Sequence, residues 1–252
     1  MLWQEEGIVL GVRRFGESGV VLQLLTRTRG RHAGLVRGGA GRRARAVIDV
    51  GNRVQATWRA RLDDQLGQFT VEPSMLLAGR LLDQPRRLAA LYAACVLVQD
   101  SLAERDPHPL LYDALVELGE VLTLDRSGRW PEIYVRFELL LLTELGFGLD
   151  LERCALTGAT ADLAYVSPRS GRAVARAAAG EWAPRLLPLP AFLTGEGPAD
   201  AAALEDGLRL TGAFLRRHLF DATERTMPAA RERLVRQLSR RLQMDTLDGD
   251  PA

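Results

Sequence analysis

The chain has 252 residues, 47% of them hydrophobic, which is enough to bury a core and excludes wholesale disorder. No stretch approaches the ~20 consecutive apolar residues that a bilayer span needs, and two cysteines, Cys95 and Cys154, are too few for a disulfide scaffold and fit a reducing cytoplasm. The formal charge of +1 hides an asymmetry: residues 1–62 carry twelve arginines against four acids, a net of +8, and the remainder carries twenty-one against twenty-eight, a net of −7. A basic half beside an acidic one points to a polyanion partner.

The start, MLWQEEGIVLGVRR, places acids before its apolar stretch and does not read as a signal peptide. Gly7–Val12 and Val20–Thr26 read as short strands, Arg29-Gly30 as a hairpin turn, and Arg31–Val36 as a third strand. Thr26–Ala46 holds seven arginines, five glycines, one histidine and no acid, and its Gly38–Ala46 portion reads as a loop whose order without its polyanion partner the sequence leaves open. From Asn52 to Leu62 the pattern alternates: Val54, Ala56, Trp58, Ala60 and Leu62 on one face, Arg53, Gln55, Thr57, Arg59 and Arg61 on the other. After a turn-sized gap at Asp63-Asp64-Gln65-Leu66, Gly67–Glu72 reads as a fifth strand. Five strands in so short a span predict a small antiparallel barrel or sandwich, with the five-stranded OB-fold leading; such barrels commonly bind single-stranded nucleic acid.

Beyond Pro73 the period becomes helical. Helices are predicted over Pro85–Leu102, with Leu88, Leu91, Tyr92, Cys95, Val96 and Val98 inward, then over Pro109–Leu124 and Pro131–Leu145. The apolar run Leu139–Leu142 predicts a central place in a bundle. Residues 154–199 are rich in Gly, Pro, Ala and Ser, with short strands expected at Leu163–Val166 and Arg172–Val174. Two further helices are expected over Ala201–Thr223 and Pro228–Leu242, the last with Leu234, Val235, Leu238 and Leu242 inward and its arginines forming a solvated face. The design is α+β: a barrel domain at 1–75, then a helical domain at 76–252 that includes an insertion at about 154–199.

The basic stretch is the strongest chemical signal. All 33 basic residues are arginine, whose planar fork suits phosphate and stacks on flat rings. Arg13, Arg14, Arg29, Arg31, Arg37, Arg42, Arg43 and Arg45 are the expected phosphate contacts, with Arg53, Arg59 and Arg61 secondary. Phe15, between Arg14 and Gly16, is the expected stacking residue; Trp58 belongs to the apolar face, and His32 either stacks or caps a turn. A solvated basic loop is the plain alternative, and a protein adaptor docking an acidic partner is another. Zinc is not expected, because Cys154 lacks a closely spaced cysteine and His108 and His218 lack ligand-like neighbours. No catalytic motif of the GxxxxGK[ST], HExxH or GxSxG kind occurs. Arg136 follows Glu132 at i+4, a favourable surface pair; its alternative role is as a cation for an acidic-apolar peptide.

EEGIVLGVRRFGESGVVLQLLTRTRGRHAGLVRGG (Glu5–Gly39) and RFELLLLTELGFGLDLERCALTG (Arg136–Gly158) resemble the RecO family of DNA repair and recombination mediators, with support from SPRSGRAV (Ser167–Val174) and MPAARERL (Met227–Leu234). The resemblance implies an amino-terminal OB-fold, a helical bundle and, in some members, a small zinc-finger-like insertion. It implies binding of single- and double-stranded DNA and annealing of complementary strands, without catalytic residues and in the cytoplasm at the nucleoid. Its implied partners are RecR, the acidic C-terminal tail of the single-stranded-DNA-binding protein (for which Arg136 is the candidate contact), and, indirectly, RecA. Zinc-bearing members carry four cysteines in the segment matching about 154–176. Here only Cys154 stands, with Gly171, Arg172 and Arg176 where later ligands would fall, so the insertion must hold its fold by other contacts and no cofactor is expected. An RNA-binding OB protein is the rival reading.

Overall fold

A computed structural model describes residues 1–62, 65–195 and 197–247, with side chains through Arg240. The turn expected at Asp63-Asp64 lies outside the described residues, and the inward placement of Leu242 lies outside the described side chains. The chain divides into two compact units, Met1–Asp125 and Arg126–Ala252.

In the first unit, β1 (Leu2–Phe15), β2 (Gly19–Thr26), β3 (Gly30–Val36), β4 (Arg53–Arg59) and β5 (Gly67–Met75) close into a barrel in the order β1-β2-β3-β5-β4, an OB-fold. The pairs are antiparallel except β3–β5, which is parallel through Gly34 opposite Gly67 and Leu35 opposite Gln68. The barrel is therefore mixed. Its register follows the alternation expected of β4: Val54, Ala56 and Trp58 are fully buried in a core with Val9, Leu22, Leu24 and Phe69, while Leu62, past the strand end, is exposed. Trp58 donates its indole N–H to the Ala33 carbonyl at 3.2 Å, so the largest core side chain leaves no orphan donor. Gly30 permits the predicted hairpin turn: its φ is +66°, and a β-carbon there would overlap the Asp106 backbone. Strand β5 continues through Pro73 to Met75 because its pairing with β3 ends near Gln68, leaving an edge where the missing N–H costs nothing.

Residues Arg42–Val47 form a short helix, α1, where the sequence reads as a loop. Arginine and alanine are good helix formers, and the adjoining Ile48 anchors the segment in the barrel core. Buried Asn52 completes the end of α1, donating to the Ala46 and Val47 carbonyls at 2.9 and 3.1 Å and accepting the Ala78 N–H at 3.0 Å. The short α2 (Leu77–Arg80) follows, then α3 (Pro85–Ser101) and α4 (Pro109–Leu124). Helix α3 packs on β1 along one face and on α4 along another, so its buried residues are Ala90, Leu91, Ala93, Ala94, Cys95, Leu97 and Val98. Tyr92, expected inward, is exposed because those two contacts lie to either side of it. Gly11 makes the approach possible, since a β-carbon there would overlap the Gln99 side chain. Arg87 ties α3 to the end of α4, donating to the Leu122 and Asp125 carbonyls at 2.9 and 2.7 Å.

The second unit holds α5 (Trp130–Glu144), a small sheet of β6 (Leu163–Val166), β7 (Ala173–Ala175) and β8 (Leu187–Pro188) in the order β7-β6-β8, the short α6 (Arg176–Ala179) and α7 (Ala191–Thr194), then α8 (Ala201–Leu215) and α9 (Ala229–Leu247). The helix expected to run from Ala201 to Thr223 leaves α geometry after Leu215 for a π turn at Arg216–Phe220. Leu141 and Leu142 of the apolar run are buried. Arg231 is not on the solvated face expected of α9. It is 4% exposed and forks onto Glu138 of α5 with bonds of 2.8 and 2.9 Å, while Thr211 of α8 donates to the same carboxylate at 2.5 Å. Charge on α9 is thus drawn inward because α5 offers a fully buried partner.

Candidate nucleic-acid interface

Arg13 and Arg14 lie on the part of β1 that runs past its pairing with β4 and pairs only with β2, Arg13 opposite Val21 and Arg14 opposite Val20. Consecutive strand residues face opposite sides, so this arm carries cations on both faces. The Ala40 N–H donates to the Ser18 carbonyl at 3.0 Å, joining the turn after β3 to the turn after β1. The result is a cleft of about 460 Å³ whose wall includes Arg13, Arg14, Arg45, Asp49, Tyr92 and Gln99. Arg37, Arg42 and Arg43 are exposed on the segment that leads into it. Among the described residues, none of these six arginines forms an ion pair with a carboxylate. Their charge stands uncompensated at short range, the condition for attracting phosphate.

A second cleft, of about 280 Å³, opens on the outer face of β2 and β3. It shares Arg13, Val21 and Gln23 with the first and adds Phe15, Ala33, Gln65, Leu66, Arg105 and the acid Glu104, which pairs with Arg31. This is the face, between the β1–β2 and β4–β5 connections, on which OB-folds bind oligonucleotides. Phe15 is half exposed here. Arg105 has a φ of +63°, donates its backbone N–H to the Arg31 carbonyl at 2.8 Å, and reaches the Gln65 carbonyl at 3.4 Å. Arg29 lines a third, smaller cleft with Trp3, His32 and Arg105.

Other arginines expected at the interface are placed differently. Arg31 donates to the Leu102 carbonyl at 3.0 Å and pairs with Glu104 at 3.4 Å. Arg53 pairs with Glu6 at 2.6 Å and Glu120 at 3.3 Å. Burial pushes the Glu6 carboxyl up, but hydrogen bonds from Ser74, Arg53 and Tyr112 and the Arg53 charge outweigh it and hold it below its ordinary value. Arg59 and Arg61 are exposed but line none of these clefts. Trp58 is core, and His32 is buried edge-on against Trp3 and Trp58 at 5.2 and 5.1 Å.

In the second unit, Arg136 makes the expected pair with Glu132 at 3.2 Å, donates to the Phe192 carbonyl, and lies 5.7 Å from the Phe192 ring centre. Arg129 pairs with the same Glu132 at 3.2 Å, beside a cleft of about 410 Å³ lined also by Pro131, Pro198 and Leu204. The segment around Cys154 is held by backbone bonds, Cys154 to Ala159 at 2.7 Å and Ala155 to Ala173 at 2.8 Å, and by the Arg172–Asp150 pair at 3.2 Å. Burial pushes the Cys154 thiol up, but bonds from the Ala175, Leu156 and Thr157 backbone and the Thr157 hydroxyl outweigh it and bring it down to about 7. Among the described residues, no group of three or more His, Cys, Asp or Glu side chains is arranged to hold a metal ion, and no helix is long and apolar enough to cross a membrane.

Tyr92, Gln99 and Arg105 were not legible as site residues. They stand about 70 to 100 residues from the strand residues they join, and helical spacing assigned Tyr92 to the core.

The chain matches two family models, Recombination protein O N terminal over residues 1–74 and Recombination protein O C terminal over residues 82–227. It is similar to the DNA repair protein RecO of Rhodospirillum rubrum, 51% identical over 243 residues that cover 94% of this chain and 96% of that protein. It is 49% identical to the DNA repair protein RecO of Cereibacter sphaeroides strain KD131, covering 95% and 99% of the two chains. It is also 49% identical to that of Rhizobium etli, covering 93% and 91%.

Proposed function

Because the chain belongs to the recombination protein O (RecO) family of DNA repair proteins, we propose that its barrel binds single- and double-stranded DNA and anneals complementary strands. The observation that carries this reading is the cleft on which Arg13, Arg14 and Arg45 converge without a carboxylate partner among the described residues, beside exposed Arg37, Arg42 and Arg43. Bound phosphates lose their mutual repulsion, two strands come together, and base pairing supplies the driving force. No catalytic step or cofactor is required. Phe15, with Arg13 and Arg105, supplies the second track across the OB face. Arg29, Arg59 and Arg61 contribute to the field. Arg31 and Arg53, tied to acids, contribute least.

In this reading residues 1–75 are the OB-fold DNA-binding domain, to whose clefts Arg105 is added from beyond it, and 76–252 are the helical domain. Family membership further suggests RecR as a working partner, the acidic tail of the single-stranded-DNA-binding protein as a ligand for the Arg136 region, and RecA as the recombinase loaded in consequence, in the cytoplasm at the nucleoid. If about five phosphates are neutralised on a single strand, affinity falls roughly 100-fold between ~50 and ~200 mM salt. The test is strand annealing by the full chain at those two salt concentrations, with and without the coating protein. Salt-sensitive acceleration supports the reading. Absence of DNA binding at low salt, or strong preference for RNA in competition, overturns it.

A further inference from the structure

The cleft between β1, β2 and α3 carries more than cations. Tyr92 is 42% exposed on its wall, although Leu91 and Ala93 on either side are buried. The Oε1 atom of Gln99, packed against Gly11, is buried without a hydrogen-bond partner among the described residues. That atom is closed off by Gly11, and only the remainder of the half-buried Gln99 side chain lines the cleft. Gln23 and Asp49 add polar groups to the same wall. A flat ring, a carboxylate acceptor and guanidinium groups in one recess match the three parts of a nucleotide: the π-face, the amino edge and the phosphate.

The volume of about 460 Å³ lies within the ~300–1,000 Å³ typical of sites for small ligands. A duplex keeps its bases stacked and paired, whereas a single strand can turn one outward at little cost. Building on the DNA-binding reading, we propose that this cleft receives one unstacked base of a single strand. Tyr92 stacks on its face, Asp49 meets its amino edge, and Arg13 and Arg45 hold the neighbouring phosphates. The base so held anchors the strand and leaves the bases that follow free to find a complement.

The test compares a single-stranded oligonucleotide with its duplex by fluorescence anisotropy at one salt concentration, using the full chain as wild type, Tyr92→Ala, Tyr92→Phe and Arg13→Ala/Arg45→Ala. The expected result is about a ten-fold loss of single-strand affinity for Tyr92→Ala, little change on duplex, and recovery with Tyr92→Phe. The double arginine variant weakens both substrates. If Tyr92→Ala leaves the ratio of single-strand to duplex affinity unchanged while the arginine variant weakens both, the base site is refuted and the DNA-binding reading stands. If wild type binds neither DNA, both fall together.

Discussion

In the barrel, Arg13, Arg14, Arg37, Arg42, Arg43 and Arg45 meet no carboxylate among the described residues, whereas in the second unit Arg129, Arg136, Arg172, Arg176, Arg209 and Arg231 each meet one within 3.3 Å. The side chain is the same and its use is opposite. A paired guanidinium has its field cancelled nearby and acts on the fold. An unpaired one in solvent contributes little to folding and keeps its field for a partner. Composition alone does not separate the two uses, because the separation is made by which acids the fold brings within about 4 Å.

The largest expected effect tests the paired class. Arg231→Ala leaves Glu138 buried and uncompensated, so urea unfolding should lose about 3–5 kcal/mol. Retention of full stability would show that the buried pair is dispensable. Arg42→Ala/Arg43→Ala/Arg45→Ala tests the unpaired class. Unfolding should stay within about 0.5 kcal/mol of wild type, while DNA binding at low salt weakens roughly 30-fold and the salt slope flattens by about 2. A loss of stability instead would make those arginines structural. Asn52→Ala sharpens the comparison, since it touches no arginine but removes the cap of α1. A loss of about 1–2 kcal/mol by urea unfolding, with a smaller fall in DNA affinity, is expected. Unchanged affinity would show that the seating of α1 does not matter to binding.

The smallest effect concerns acid. Glu6 is held below its ordinary pKa in the fold, so its stabilising contribution is fully present above the unfolded carboxylate value and is lost as pH falls through the folded one. Stability measured from about pH 5 downward should fall less steeply in Glu6→Gln than in wild type. Identical slopes would remove Glu6 from the account.

Much of the first unit was legible in the sequence. The alternation from Asn52 to Leu62 placed Val54, Ala56 and Trp58 inside, because a period of two leaves a strand only one way to face a core. Helix starts at Pro85 and Pro109 coincide with prolines, whose missing N–H is harmless there. Tyr92 was misplaced because helical periodicity assumes one buried face, and α3 is buried on two. Arg231 was misplaced because nothing local on α9 announces a carboxylate on α5.

By itself the sequence determined the barrel's strands, the run of helices after it, and the concentration of positive charge in the first 62 residues, since periodicity and charge are written locally along the chain. Only the tertiary structure decided that β3 and β5 pair in parallel, that Arg31 and Arg53 are held by acids, and that Arg45, Tyr92 and Gln99 line one cleft with Arg13. Pairing and convergence depend on distances of a few ångströms between residues far apart in the chain, and those distances exist only once the core has closed.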